Sequence, residues 1–203
     1  AVLSAGDLVA GQKQPRLDRE WLDRMWQGFY DVVGQPLEHA QIPLLPTPGN
    51  HDGSAYPAFE LERERFAQYW SGREPAALLT PASEWPRRYA ARVGDALLIA
   101  FDGTRPGALP AEELNFIGAM LERHGAAAGC TLVLGHLPMW PLARGRESDI
   151  IADPVRWVET YHCGSAQPLL GNNLLQHGLG IIEQAPCLLA DGGIVEDLRK
   201  LAV

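Results

Sequence analysis

The sequence predicts an α/β fold built from mixed β-sheets that are flanked by helices. Over residues 1 to 140, short apolar runs typical of buried strands alternate with segments of helical periodicity. Two neighbouring apolar runs are separated only by a Gly-Asp turn, which adds an antiparallel hairpin to the alternation. Three apolar runs end in glycine followed by a polar side chain, and open α/β sheets place functional groups at such strand ends.

The first third of the chain contains two predicted strands and two predicted helical segments. "AVLSA" predicts a buried strand at the start of the chain. Apolar residues at helical spacing predict a helix from Pro15, which suits a first turn, to about Val33, with Gly34 ending it. "QIPLLPTPGN" predicts a strand followed by a turn, and residues 55 to 71 are predicted to be partly helical.

The alternation of predicted strands and helices continues to about residue 140 and is less clear after Pro141. "RRYAARVGDALLIAFDG" predicts two strands joined at Gly94-Asp95, "LPAEELNFIGAMLERHG" a helix ending at His124, and "CTLVLG" a buried strand. After Pro141, "PVRWVETY" and "NNLLQHG" favour short helices, and "IIEQAPCLLADGG" favours one or two strands. Without repeats or a linker, residues 1–203 are predicted to form a single domain.

Composition narrows the classes of function. The 203 residues carry a net charge of −8, which argues against a general nucleic-acid surface. A small anionic substrate stays compatible with this charge, because bound cations reverse its sign locally. The three cysteines, Cys130, Cys163 and Cys187, form no CxxC pair and no disulfide framework. No apolar run is long enough to predict a transmembrane segment.

Polar residues that can bind metal follow three of the predicted strands. Asp7 follows the first strand in "GD", Asn50, His51 and Asp52 follow the second in "GNHD", and His136 follows a later one in "GH". Because the carboxyl ends of parallel strands meet at one edge of a sheet, these side chains are expected to converge. Asp oxygen, Asn carbonyl and His nitrogen together suit Mn²⁺, Zn²⁺ or Fe.

The motifs "GD…GNHD…GH", in this order and at these strand ends, resemble the calcineurin-like metallophosphoesterase family over residues 1 to about 140. The resemblance implies a sandwich of two mixed β-sheets flanked by helices. It also implies two divalent metal ions, Mn, Zn or Fe, and a small phosphate-ester substrate. The implied activity is hydrolysis of a phosphate mono- or diester, with a metal-bridging hydroxide as nucleophile.

The resemblance also implies a role for each matched residue. Asp7 would bridge the two metals, and Asn50 and His136 would be ligands of the second metal. His51 would face the substrate, stabilise the transition state or protonate the leaving oxygen, and Asp52 would orient it. This division is chemically reasonable, since a neighbouring carboxylate selects a histidine tautomer and supports its protonated form.

Two motifs of the family do not occur in this sequence. The family has an upstream strand ending in Asp-x-His and, downstream, a Gly-His-x-His motif. Asp191 follows an apolar run, but Gly193 stands two positions later, where a histidine would be needed. Three ligands do not saturate two cations. We therefore expect the chain to lack the first strand of the family's domain and part of its C-terminal third. The alternative is a non-catalytic phosphoesterase-like binding domain with a degraded metal site.

Several other residues have a structural interpretation beside a functional one. His39, His124 and His177 suit helix ends, and the charged run "ELERER" suits a solvated helix face. His162 with Cys163 is a less favoured replacement ligand pair. Asp102 suits a turn or an outer position of the site, and Trp140 suits a pocket wall or the core. The substrate, the metal identity, the oligomeric state and the compartment are not specified by these residues.

Overall fold

The structure, a computed structural model, describes residues 1–13 and 15–138 and the backbone of three later strands. In chain order the elements are β1 (Val2–Ser4), α1 (Arg19–Phe29), a π-helical turn (Tyr30–Gly34), α2 (Gln35–His39), β2 (Leu44–Pro46), α3 (Glu60–Trp70), β3 (Tyr89–Val93), β4 (Ala96–Ala100), β5 (Gly107–Ala108), α4 (Ala111–His124), β6 (Cys130–Leu134), β7 (Ile151–Ala152), β8 (Gln167–Leu169) and β9 (Leu179–Glu183). The described chain is therefore a mixed α/β fold, as the alternation predicts.

The strands form one five-stranded mixed sheet and two small parallel pairs. The large sheet has the order β3-β4-β6-β9-β8, in which only β4 and β6 are parallel neighbours. The predicted hairpin is present, with Gly94 at a φ of 61° in the turn between β3 and β4. β1 pairs in parallel with β2, and β5 with β7. The carboxyl ends of β1 and β2 therefore lie side by side.

Alternate residues of β4 point to opposite faces of the large sheet, and each face is covered. Leu98 and Ala100 belong to one core cluster, whereas Leu97 and Ile99 belong to another. The first cluster contains buried side chains of α1, α3 and β2, namely Trp26, Leu45, Phe66 and Trp70. The second contains Ile117 and Met120 of α4. Helices thus cover both faces, and the β1-β2 pair shares the core of the first face.

The first helix differs from its prediction at its start. It begins at Arg19 rather than in the turn at Pro15, because the Asp18 carboxylate accepts the Trp21 N–H at 2.9 Å and caps the helix. The strand before it is also less buried than predicted, since Val2 is exposed and Leu3 and Ser4 are half-buried. The edge position of β1 in a two-stranded sheet explains this exposure.

Gly34 does not end the helix, which is a second correction. The chain runs on through the π-helical turn into α2, and Gly34 keeps a helical φ of −62°. A Cβ added at Gly34 would lie 2.9 Å from the Tyr69 hydroxyl and 3.0 Å from the Tyr30 ring. The glycine therefore serves close packing against α3 rather than termination.

The charged run of α3 is not simply a solvated face. Glu62 is buried, and Arg63 and Arg65 form ion pairs with Asp102 and Asp23.

Among the described helices none is long and apolar enough to cross a membrane. Of the elements predicted after Pro141, residues 181–183 belong to β9. The two predicted short helices and residues 184–193 lie outside the described part of the chain.

The cap of α1 yields a test of local stability. Asp18→Ala is expected to lower the free energy of unfolding by about 1 kcal/mol, because the Trp21 N–H loses its acceptor. Chemical denaturation of the wild type and the variant measures this difference. Glu122→Ala, at an exposed position in α4, is the matched control and should change the stability by less than about 0.5 kcal/mol.

Candidate functional site

Two glycine-containing loops meet at the carboxyl ends of β1 and β2. Gly6 has a φ of +92° and Asp7 a φ of +58°, so the chain turns sharply as it leaves β1. A Cβ added at Gly6 would lie 2.5 Å from the Gly49 Cα, and one added at Gly49 would overlap Asp7. The two loops therefore touch backbone to backbone, and both glycines are needed for this approach.

Asp7, Asn50 and His136 form what we call the donor cluster. The Asn50 Oδ1 atom lies 2.7 Å from the His136 Nε2 atom, and the Asp7 Oδ1 atom lies 3.5 Å from the same nitrogen. The Asp7 side chain is 37% exposed and that of His136 is 13% exposed, so the cluster opens to solvent on the Asp7 side. The structure thus brings together the three residues predicted as metal ligands.

The tautomer of His136 follows from its second nitrogen. Its Nδ1 atom lies 2.6 Å from the Ala5 carbonyl oxygen, which can only accept a hydrogen bond, so Nδ1 carries the proton. In the neutral ring the lone pair of Nε2 then faces Asn50 and Asp7. Asn50 donates through Nδ2 to the Gln12 Oε1 atom at 2.7 Å, which turns its carbonyl toward His136. Three electron-rich atoms therefore face one another, and a cation or an imidazolium proton would relieve this arrangement.

The donor cluster fits part of a metal site. Residues 1–138, without Gln14, contain no group of three or more His, Cys, Asp and Glu side chains that could hold a metal ion. The cluster supplies two such residues and one amide, fewer than the four or more ligands that Zn²⁺ or Mn²⁺ takes. His162, Cys163, His177 and Asp191, the other candidates, lie outside the described residues, as does Trp140.

His51 is held at the cluster by its backbone. Its N–H donates to the Asp7 Oδ1 atom at 2.9 Å, and its carbonyl accepts the Gly11 N–H at 3.0 Å. Within the described chain its ring forms no hydrogen bond, and the Nδ1 atom is buried without a partner. Gly11 and Gln12 are thus contributors to the site that the sequence motifs did not reveal, since neither follows a strand.

Asp52 departs from its predicted role. One carboxylate oxygen accepts the Leu8 N–H at 2.6 Å and the other accepts the Gly49 N–H at 2.7 Å. Both oxygens are therefore engaged with backbone, and Asp52 does not orient the His51 ring in this geometry. The side chain folds back under the Pro-Gly turn, as Asp commonly does in turns, and joins the two loops.

The environment of Asp52 favours its neutral form. The residue is only 1% exposed, and burial raises the pKa of its carboxyl to about 7. The N–H groups of Gly49 and Leu8 oppose this rise, and the negative charge of Asp7 adds to it. A buried carboxyl with two backbone donors is thus the link between the loops that carry Asp7 and Asn50.

Arg63 is a further residue that the sequence did not single out. It donates to the Gly53 carbonyl at 2.6 Å and pairs with Asp102, which in turn accepts the Thr104 hydroxyl at 2.9 Å. The Thr104 oxygen accepts the Ala55 N–H at 2.9 Å. Asp102 therefore ties the loop after β4 to the loop after β2, in agreement with an outer position at the site. His39 and His124 end α2 and α4, as predicted.

Glu113, in the first turn of α4, is a second buried carboxyl near these loops. Burial raises its pKa to about 7, while Arg88 opposes the rise and Asp102 adds to it. Because the folded protein then binds this proton more tightly than the unfolded chain, stability should fall as the pH rises from about 4.5 to about 7. Glu113→Gln is expected to remove up to roughly 3 kcal/mol of that decrease. Denaturation at pH 4.5 and pH 8 measures it, and equal pH dependence in both proteins would contradict the assignment.

No protein-family model matches the chain, and no curated protein matches it either. A function for this site therefore has to be argued from the motifs and the geometry of the donor cluster.

Proposed function

We propose that this protein is a metal-dependent phosphoesterase of the calcineurin-like metallophosphoesterase type. The observation that carries the proposal is the donor cluster, in which the His136 Nε2 atom lies 2.7 Å from the Asn50 Oδ1 atom and 3.5 Å from the Asp7 Oδ1 atom. A histidine with its other nitrogen bound to a backbone carbonyl is the usual arrangement of a metal ligand. The order of the three motifs, which follow β1, β2 and β6, supports the same family, and with it the sandwich of two mixed sheets.

Asp7, Asn50 and His136 would hold a divalent cation, Mn, Zn or Fe, with further ligands completing a dinuclear centre. When bound, the cations would supply an activated water and positive charge for the phosphate oxygens. Asp7 contributes the only negative charge of the cluster and also accepts the His51 N–H, so it places His51 beside the reacting phosphate. The His51 ring, which makes no hydrogen bond within the described chain, would stabilise the transition state or protonate the leaving oxygen.

A non-catalytic phosphoesterase-like binding domain with a degraded metal site is the second candidate. It is favoured by one observation, namely that the donor set in the described residues falls short of the ligands two cations need. In that case Asp7, Asn50 and His136 would still bind a cation, and the cation could in turn bind an anion. No water nucleophile would be activated.

Hydrolysis assays distinguish the two candidates. The protein is loaded with Mn²⁺, Zn²⁺ or Fe²⁺ and assayed with p-nitrophenyl phosphate and bis-p-nitrophenyl phosphate, before and after a chelator. Chelator-sensitive turnover that is restored by adding metal supports the enzyme. His124→Ala, at the far end of α4, serves as the control histidine variant and should retain that turnover. Metal bound stoichiometrically without turnover of either ester would favour the binding domain.

A further inference from the structure

A charged cavity of about 310 Å³ lies beside the loops of the donor cluster. It is lined by residues of the loop after β2, α3, the turn before β3, the loop after β4 and the first turn of α4. The lining carries the four arginines Arg63, Arg87, Arg88 and Arg105 and also four acidic side chains. We refer to it as the arginine cavity.

Hydrogen bonds connect the wall of the arginine cavity to both loops of the site. Ala55 and Asp102 line it, and Thr104 joins them by accepting the Ala55 N–H and donating to Asp102. On the other side, the Leu137 N–H donates to the Gly103 carbonyl at 3.1 Å, immediately after His136. The cavity therefore adjoins the loops that carry Asn50 and His136.

The guanidinium groups of the cavity are not all neutralised. Arg63 pairs with Asp102, and Arg88 contacts both Glu84 at 2.8 Å and Glu113 at 3.6 Å. Within the described chain Arg87 and Arg105 have no carboxylate partner, and Glu112, the remaining acidic residue of the lining, is in no ion pair either. Arg105 instead lies over the Tyr56 ring, with its Cζ atom 5.1 Å from the ring centroid. An oxyanion is the ligand that two unpaired guanidinium groups recognise best.

Glu113 contributes an unused polar atom to the same cavity. The residue is 6% exposed, and its Oε2 atom is buried without a hydrogen-bond partner in the described part of the chain. Such an atom costs free energy unless a ligand or water completes it. Burial raises the pKa of this carboxyl to about 7, so about half of it is protonated at neutral pH, and the O–H of that form can donate to an oxyanion. The position at the amino end of α4, a helix of 14 residues, favours negative charge as well.

We propose that the arginine cavity binds a second oxyanion, phosphate or carboxylate, carried by the substrate itself. This inference rests on the proposed function, because the scissile phosphate is assigned to the donor cluster. Arg87 and Arg105 provide the charge-assisted hydrogen bonds, and Glu113 provides a donor at the base of the cavity. The substrate class is thus a phosphate ester whose alcohol part bears another anionic group.

The test compares the turnover of matched substrates. Alkanediol monophosphates, which end in a hydroxyl, are compared with the bisphosphates and ω-carboxyalkyl phosphates of the same length, over chains of two to six carbons. For at least one length, kcat/KM for a doubly anionic ester is expected to exceed that for the hydroxyl ester about tenfold or more. This ratio of kcat/KM values is determined separately for the bisphosphate and for the ω-carboxyalkyl phosphate. The substrate with the larger ratio identifies the bound oxyanion as phosphate or carboxylate.

Arg87→Gln and Arg105→Gln should each reduce this ratio toward one. Both side chains are exposed, so neither variant is expected to unfold, and a thermal melt checks this. Arg123→Gln, an exposed arginine at the other end of α4, is the matched control and should keep the wild-type ratio. An unchanged ratio in both cavity variants would overturn the proposal.

Binding measurements separate this inference from the proposed function. Turnover of all esters without any preference would overturn the second-oxyanion site and leave the phosphoesterase standing. If no ester is hydrolysed, calorimetric binding of the bisphosphate that weakens about tenfold in Arg87→Gln and Arg105→Gln would support the cavity and count against the enzyme. Absence of both turnover and binding would overturn both proposals.

Discussion

Asp7→Asn is expected to remove bound metal and to lower phosphate-ester hydrolysis by roughly 10³-fold. Asp7 is the only acidic member of the donor cluster, and its Oδ1 atom lies 3.5 Å from His136 Nε2 and accepts the His51 N–H. Asparagine has nearly the same shape, so the substitution tests the negative charge rather than packing. Elemental analysis of the purified variant and assays at saturating Mn²⁺ or Zn²⁺ measure the two effects separately.

His51→Ala provides the contrasting result. Turnover should fall by about 10²–10⁴-fold while the metal content stays near that of the wild type, because the ring forms no hydrogen bond with the donor cluster. His124→Ala is the control for removing a histidine away from the site. Equal loss of metal in Asp7→Asn and His51→Ala would show that His51 is a ligand and would reverse its assigned role.

Gly49→Ala is expected to disrupt the site and to destabilise the fold by roughly 1–3 kcal/mol. The added Cβ would overlap the Asp7 amide nitrogen and carboxylate, so the loop after β1 has to move. Gly49 also donates to Asp52 Oδ1, which places the strain at the link between the two loops. Because a displacement of about 1 Å at a reacting group costs about 10²-fold, activity should fall even where the chain stays folded.

Gly28→Ala is the matched glycine control. Gly28 lies inside α1, and a Cβ added there meets nothing within 4 Å. Alanine should therefore stabilise the helix by about 0.5–1 kcal/mol and leave hydrolysis unchanged. Chemical denaturation and the ester assay compare both variants with the wild type. Wild-type stability and activity in Gly49→Ala would contradict the close approach of the two loops.

Local patterns in the sequence predicted the elements that determine where the site lies. The apolar runs at β1, β2, β4 and β6, the hairpin at Gly94 and the helix ending at His124 depend on periodicity and turn residues within a few positions. Since strand ends follow from the same patterns, the proximity of Asp7, Asn50 and His136 could also be predicted. The three strands do not share one sheet as expected, because His136 follows β6 of the five-stranded sheet and the other two residues follow the β1-β2 pair.

Hydrogen-bond partners were decided only by the tertiary structure. Ala5 sets the tautomer of His136 across 131 positions of the chain, and Asp52 takes Leu8, 44 positions away, as a partner instead of His51. Gly34 continues a helix because Tyr69 packs against it. These outcomes depend on which groups approach within about 3 Å after the sheets and helices pack, and local periodicity carries no information on that approach. The sequence by itself therefore determined which residues meet at the strand ends, and tertiary packing decided what each of them does there.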